Sequence, residues 1–181
     1  ITISDDMRDT LLKKGVPADK LDVIGNWIDV DAIRRVARAD NALFDSFGLD
    51  RGGFYAVYAG ALGILQDLDT VLDAAKLVVK EADEVRFVLI GSGGRERELR
   101  ERIAREGIDS VSMFPLQPVS RAAEVYSLGD VSLAPLAKDA TGIALPSKTW
   151  TAMAAGSFVI AAADKNSAFE QLIAQAGGAA V

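Results

Sequence analysis

From residue 54 onward, two periods of apolar residues alternate along the chain. Short runs that are apolar throughout, as in strands buried on both faces, are separated by stretches with apolar residues three or four positions apart, as in helices lying on a core. Phe54 to Ala59 is the first such strand, ended by Gly60, and Leu68 to Val79 is the helix after it. Val85 to Ile90 is the second strand, and Gly91-Ser92-Gly93-Gly94 leads into a charged helix, 95 to 106, with Leu99 and Ile103 on one side and Gly107 at its end. Val111 to Phe114 is a third strand, Ser120 a candidate N-cap for a helix through Leu128, and Val131 to Ala134 a fourth strand closed by Pro135. The stretch ALPSKTWTAMAAG, 144 to 156, predicts a helix from about Lys148 to Ala155; strand Phe158 to Ala162, helix Ser167 to Ala176 and a short strand near Val181 follow. This alternation predicts an α/β fold with a parallel sheet covered on both faces.

Residues 1 to 50 lack that rhythm. Ser4 is placed to cap an acidic first turn of a helix running to about Lys14, which Gly15-Val16-Pro17 stops. Leu21 to Ile24 predicts a brief strand, and Asp29 or Asp31 the start of another helix. The expected organisation is a linker segment, 1–50, from a preceding domain, a hinge at Asp50-Arg51-Gly52-Gly53, and one domain over 51–181. The missing initiator Met and the close at Gly177-Gly178-Ala179-Ala180-Val181 suggest a piece of something longer, cut short at its C-terminus.

Composition narrows the chemistry. The net charge of −6 argues against general affinity for nucleic acid, and any anion site must be local. With no cysteine there is no disulfide or thiol catalysis, and with no histidine the commonest general base and metal ligand are gone. No metal ligand set is expected. No apolar run approaches the ~20 residues of a membrane span, so no anchor is expected in this chain.

In an open parallel α/β sheet, ligands bind outside the carboxyl ends of the strands. Three loops there could carry a site. Gly60-Ala61-Leu62-Gly63 follows the first strand, where glycine lets backbone N–H groups approach a ligand or simply makes a tight turn. Gly91-Ser92-Gly93-Gly94-Arg95 adds a cation, although Arg97, Arg100, Arg102 and Arg105 share its helix and a solvated role is the commoner one for such a residue. It is not the dinucleotide fingerprint, because Glu96 stands where that motif has its last glycine. The third loop runs from Asp139 to Lys148. Gly142 could bare its N–H, Ser147 could cap the next helix, and Lys148, Thr149 and Thr151 could bind phosphate and hydroxyl oxygens. A lysine at a helix start opposes the helix dipole, so Lys148 either snorkels into water or shares a bound anion with the helix amides.

The order Val23-Ile24-Gly25-Asn26-Trp27-Ile28-Asp29, Tyr58-Ala59-Gly60-Ala61-Leu62, Leu68 to Ala75, Phe87 to Gly93, Pro146-Ser147-Lys148 and Met153-Ala154-Ala155-Gly156 resembles the C-terminal half of group 1 (family 4) glycosyltransferases. Gln66 and the Pro-Ser-Lys element resemble bacterial enzymes that assemble surface polysaccharides from nucleotide-linked amino sugars. The resemblance implies one Rossmann-like, doubly wound half of a GT-B fold, with about six strands. It implies retaining, metal-independent sugar transfer without a cofactor, and a cleft completed by an N-terminal acceptor domain of the same protein. The implied ligand is a nucleotide sugar, a UDP-sugar first. The implied location is cytoplasmic, with the full-length protein at the inner face of the cell membrane. Lys148 would then face the diphosphate, Gly60 the phosphates, Gly91, Gly93 and Arg95 the nucleotide, and the backbone around Phe114, Pro115 and Leu116 the base.

Three departures bear on activity. Thr141 and Thr151 stand where relatives carry glutamates, the second of which normally accepts hydrogen bonds from the ribose hydroxyls. Ala61, Ile64 and Gln66 replace an arginine or asparagine and a basic residue. Asp139 is a candidate substitute for the first carboxylate, and no catalytic residue is identified. The alternative is a degenerate glycosyltransferase-like domain with a structural or regulatory role. A nucleotide-sugar epimerase of the same architecture ranks below both, since such enzymes lean on acidic and histidine groups missing here.

Overall fold

The computed structural model describes residues 1–181. Six strands, β1 (Phe54–Ala61), β2 (Val85–Ser92), β3 (Val111–Phe114), β4 (Val131–Pro135), β5 (Phe158–Ala162) and β6 (Ala179–Ala180), form one parallel sheet in the order β3-β2-β1-β4-β5-β6. The helices are α1 (Asp5–Lys13), α2 (Leu43–Phe47), α3 (Leu68–Val78), α4 (Glu96–Glu106), α5 (Ala122–Tyr126), α6 (Lys148–Ala154) and α7 (Ala168–Gln175). None is long and apolar enough to cross a membrane. This is the doubly wound order, with its switch point between β1 and β4.

Both faces of the sheet are covered, which is why its strands read as continuous apolar runs. Along β1, Ala56 and Tyr58 point into a core with Leu68 and Leu72 of α3 and Leu99 of α4, while Tyr55, Val57 and Ala59 point into a second core with α2 and α5. A third cluster joins Val159 and Ala161 of β5 to Ala152, Phe169 and Ile173.

Ser4 caps α1 by accepting from Met7 N at 3.3 Å, and Ser167 caps α7 by accepting from Glu170 N at 3.1 Å. Three local expectations are corrected and one element is added. Leu21–Ile24 forms only an isolated bridge, Val23 beside Thr2. No helix follows Asp29; its Oδ1 accepts from the amides of Asp31 and Ala32, but the next residues are largely exposed, and a turn with no surface to pack on does not propagate. Ser120 lies inside a single 3₁₀ turn, Val119–Arg121, and gives no capping bond to α5. Short α2 was not expected; Leu43 and Phe44, both fully buried, hold it.

One clamp ties residues 36–53 to the sheet. Arg38 Nη2 donates to both carboxylate oxygens of Asp130 at 2.7 Å, and Arg38 Nη1 donates to the carbonyls of Arg51 and Gly53. Asp130 Oδ2 also accepts from Tyr55 N at 2.8 Å, and the guanidinium lies 5.3 Å from the centroid of the Phe44 ring. Removing the fork leaves a half-buried carboxylate facing an amide alone. Arg38→Ala is therefore expected to lower the unfolding free energy by about 2 kcal/mol in urea titrations, more than alanine at the exposed Arg34.

Candidate functional site

The carboxyl ends of β1 and β2 meet in register, with Gly60 beside Gly91. A Cβ at residue 91 would sit 2.0 Å from the Gly60 carbonyl oxygen, and one at residue 93 would sit 2.4 Å from that of Leu62. The two loops are bonded backbone to backbone: Leu62 N donates to Ser92 O at 2.9 Å, and Arg95 N to Leu62 O at 3.1 Å. Gly91 and Gly93 are thus explained by loop packing. Neither lines the cleft.

Beside this junction, over β1 and β4, opens a cavity of about 380 Å³ lined by Gly60, Ala61, Gln66, Tyr126, Ser147, Lys148 and Thr151, with Leu136, Ala144, Leu145 and Pro146. The Lys148 stem crosses Gly60 so closely that a Cβ there would lie 2.9 Å from Lys148 Cε. At the stem's end, Lys148 Nζ donates to Tyr58 Oη at 2.8 Å and lies 4.3 Å from the centroid of the Tyr58 ring. No carboxylate pairs with it; the chain's ion pairs all leave Lys148 out. Burial alone pushes its pKa down to about 8. A half-buried ammonium without a counter-ion can stabilise an anion strongly, because water screens it little.

A second cavity of about 210 Å³ adjoins the first, sharing Gly60, Tyr126 and Thr151 with it. Its walls are mainly apolar: Ala59, Ile90, Leu116, Pro118, Val119 and Val125. A slightly larger hollow, about 390 Å³, lies at the amino end of β5 between Met153, Phe158, Ile173 and Gly178, but no charged side chain lines it. We take the pair at the switch point as the site because the unpaired cation is there.

Of the expected site residues, Gly60, Leu116, Ser147, Lys148 and Thr151 come together around these cavities. Ser147 does so without capping α6; its backbone is helical and its side chain accepts no helix amide. Thr149 is fully buried, outside the cavity, and its hydroxyl finds no partner. Arg95 faces away, held by Asp69 at 2.7 Å and Glu98 at 2.6 Å. The Phe114 ring stacks on Phe47, centroids 4.0 Å apart, which covers one of its faces, and Phe114 lines neither cavity.

Thr141 donates its hydroxyl proton to Asp164, whose other oxygen accepts from Asp139 N at 3.4 Å. Gly142 serves packing as well: its φ is +76°, and a Cβ would lie 2.2 Å from Thr10 Oγ1 of α1. Two residues at the site escaped the sequence reading. Tyr58 was legible only as an apolar strand position and Tyr126 only as a helix residue; the Tyr58 hydroxyl accepts from Lys148 Nζ and the Tyr126 hydroxyl donates to the Ala59 carbonyl at 3.4 Å.

The fold is that of a doubly wound α/β domain with a cleft at its switch point, and comparison with known proteins gives its family. The family model for group 1 glycosyl transferases matches residues 53–179, and the chain belongs to that family. It is 29% identical over 181 residues to WcaI of Escherichia coli (strain K12), which carries the name of a colanic acid biosynthesis glycosyl transferase; the match covers 99% of this chain and 44% of that protein. The chain therefore spans less than half the length of this curated relative. The crystal structure of Anabaena Alr3699/HepE in complex with UDP-glucose superposes with a TM-score of 0.79 at 18% identity, covering 99% of this chain and 48% of that one. WaaG, a glycosyltransferase involved in lipopolysaccharide biosynthesis, gives a TM-score of 0.80 at 14% identity, covering 99% and 48%. At such identities these two likenesses establish the fold.

Two outcomes follow from the geometry. Gly91→Ala is expected to cost at least about 3 kcal/mol in urea denaturation, since backbone must move to admit the methyl group. Lys148→Met keeps the stem and removes the charge. Between pH 8 and the ordinary lysine value of 10.5, the unfolded parent binds more protons than the folded one, so parent stability rises with pH across that window. The methionine variant should be more stable than the parent by about 2 kcal/mol at pH 7, and the gap should close by pH 10.5.

Proposed function

We propose that this chain is the donor-binding half of a glycosyltransferase and holds the diphosphate of a nucleotide sugar, UDP-linked in the first instance, against Lys148. The observation that carries the reading is the half-buried Lys148 ammonium, free of any carboxylate, at the mouth of the switch-point cavity. The diphosphate would lie over Gly60 and Ser147, and the base in the adjoining apolar cavity beside Leu116. Thr151, which lines both, would meet the ribose.

In sugar transfer the bond from the anomeric carbon to the diphosphate oxygen breaks, and negative charge grows on the departing diphosphate. Lys148 would stabilise that charge from a fixed position in a poorly hydrated pocket. The resemblance to family members supports retaining transfer without a metal ion, in assembly of bacterial surface polysaccharide on the cytoplasmic side of the membrane. An N-terminal acceptor domain would supply the rest of the cleft. The division of this chain into a linker, 1–50, and a donor domain, 51–181, belongs to the same reading.

A second reading, a domain whose site has decayed into a structural role, draws on Thr141 bound to Asp164 and Arg95 held by Asp69 and Glu98, which leave Lys148 alone among cations at the cavity. Sugar transfer by the full-length protein separates the two, since sustained turnover excludes decay. For the leading reading, calorimetric titration of the chain with UDP should show binding, and Lys148→Ala should weaken it about tenfold or more, as expected for losing a charged hydrogen bond. No heat at millimolar UDP would overturn it.

A further inference from the structure

We infer that Tyr58 is a positioning residue for Lys148: its neutral phenol holds the ammonium by an oxygen lone pair, and so aims the cation without neutralising it. The inference rests on the donor-site reading above and adds how the cation stays available.

Tyr58 lies on β1, two residues before Gly60, and is fully buried. Its hydroxyl donates to the Ala61 carbonyl, which fixes the proton and turns a lone pair toward Lys148 Nζ at 2.8 Å. The same nitrogen lies 4.3 Å from the ring centroid, at the hydroxyl end of the ring. Gly60 leaves the stem this path; a Cβ there would lie 2.9 Å from Lys148 Cε and push the side chain aside. A carboxylate at residue 58 would bind the ammonium more strongly but would cancel its charge and compete with the diphosphate. A phenol has no charge to compete with, and burial pushes the Tyr58 phenol further up, so it stays neutral wherever Lys148 titrates. The other titratable group facing this nitrogen across the cavity is Tyr126 of α5, whose phenol is pushed up to about 12 by burial and is likewise neutral.

The test is Tyr58→Phe in the 181-residue chain, which keeps the ring and removes only the oxygen. Two measurements are made on parent and variant: the titration midpoint of Lys148, followed by NMR of ¹³C-labelled lysine without ligand, and the Kd for UDP by calorimetry at pH 7. Losing the acceptor disfavours the charged ammonium, so the midpoint should move to lower pH by half a unit or more, and UDP should bind about fivefold more weakly. A merely structural tyrosine would lower stability without moving the midpoint. An unchanged midpoint overturns the inference whatever UDP does, and a moved midpoint with unchanged UDP affinity overturns it as well. Absence of UDP binding by the parent chain rejects the donor-site reading itself, and with it any role for Tyr58 in holding a cation for the diphosphate.

Discussion

Every feature of the cleft depends on how closely the carboxyl ends of β1 and β2 approach each other. Between the Gly60 carbonyl and residue 91 there is no room for a methyl group, and the loops beyond are laced together through Leu62. That junction sets where β1 ends, and the end of β1 sets the floor on which Lys148 lies. With the floor displaced, the lysine stem would lose its path across Gly60 and the ammonium its seat on Tyr58. Glycine is required at these points for steric reasons.

Charge is distributed around this floor in two ways. On the outer helices the cations are satisfied locally: Arg102 reaches Asp69, Asp73 and Glu106, and Arg95 reaches Asp69 and Glu98. Hydrogen bonds from Lys76 and Arg102 hold the Glu106 carboxyl down at about 2. Such partly exposed pairs knit α3 to α4 and contribute modestly to stability. Lys148 is arranged in the opposite manner, with no acid beside it and its ammonium partly desolvated by burial. An unpaired, half-buried charge costs folding free energy, and groups of this kind cluster at functional sites.

The sheet was legible in the sequence because both its faces are buried, and the alternation of apolar runs with amphipathic helices leaves no other layer arrangement for residues 54 to 181. The segment before it was less so. The strand at Leu21–Ile24 and the helix at Asp29 have suitable local signals, yet neither has a surface to pack against, and one turn or one bridge is all that forms. Conversely, α2 carries weak signals and exists because Leu43 and Phe44 fit under the sheet.

By itself the sequence determined the strands, the main helices between them and the loops at which a ligand could bind, since hydrophobic period and glycine placement are local properties; the strand order, and with it the switch point, came from the fold. It singled out Lys148 as a cation in an odd position. Only the tertiary structure decided what each loop residue does. Gly91, Gly93 and Gly142 answer to backbone packing, Thr141 to Asp164 and Arg95 to Asp69, because steric contact and ion pairing depend on partners 23 to 132 residues away in the chain. The same long-range proximity placed Tyr58 beneath Lys148, 90 residues apart in sequence and 2.8 Å apart in the fold.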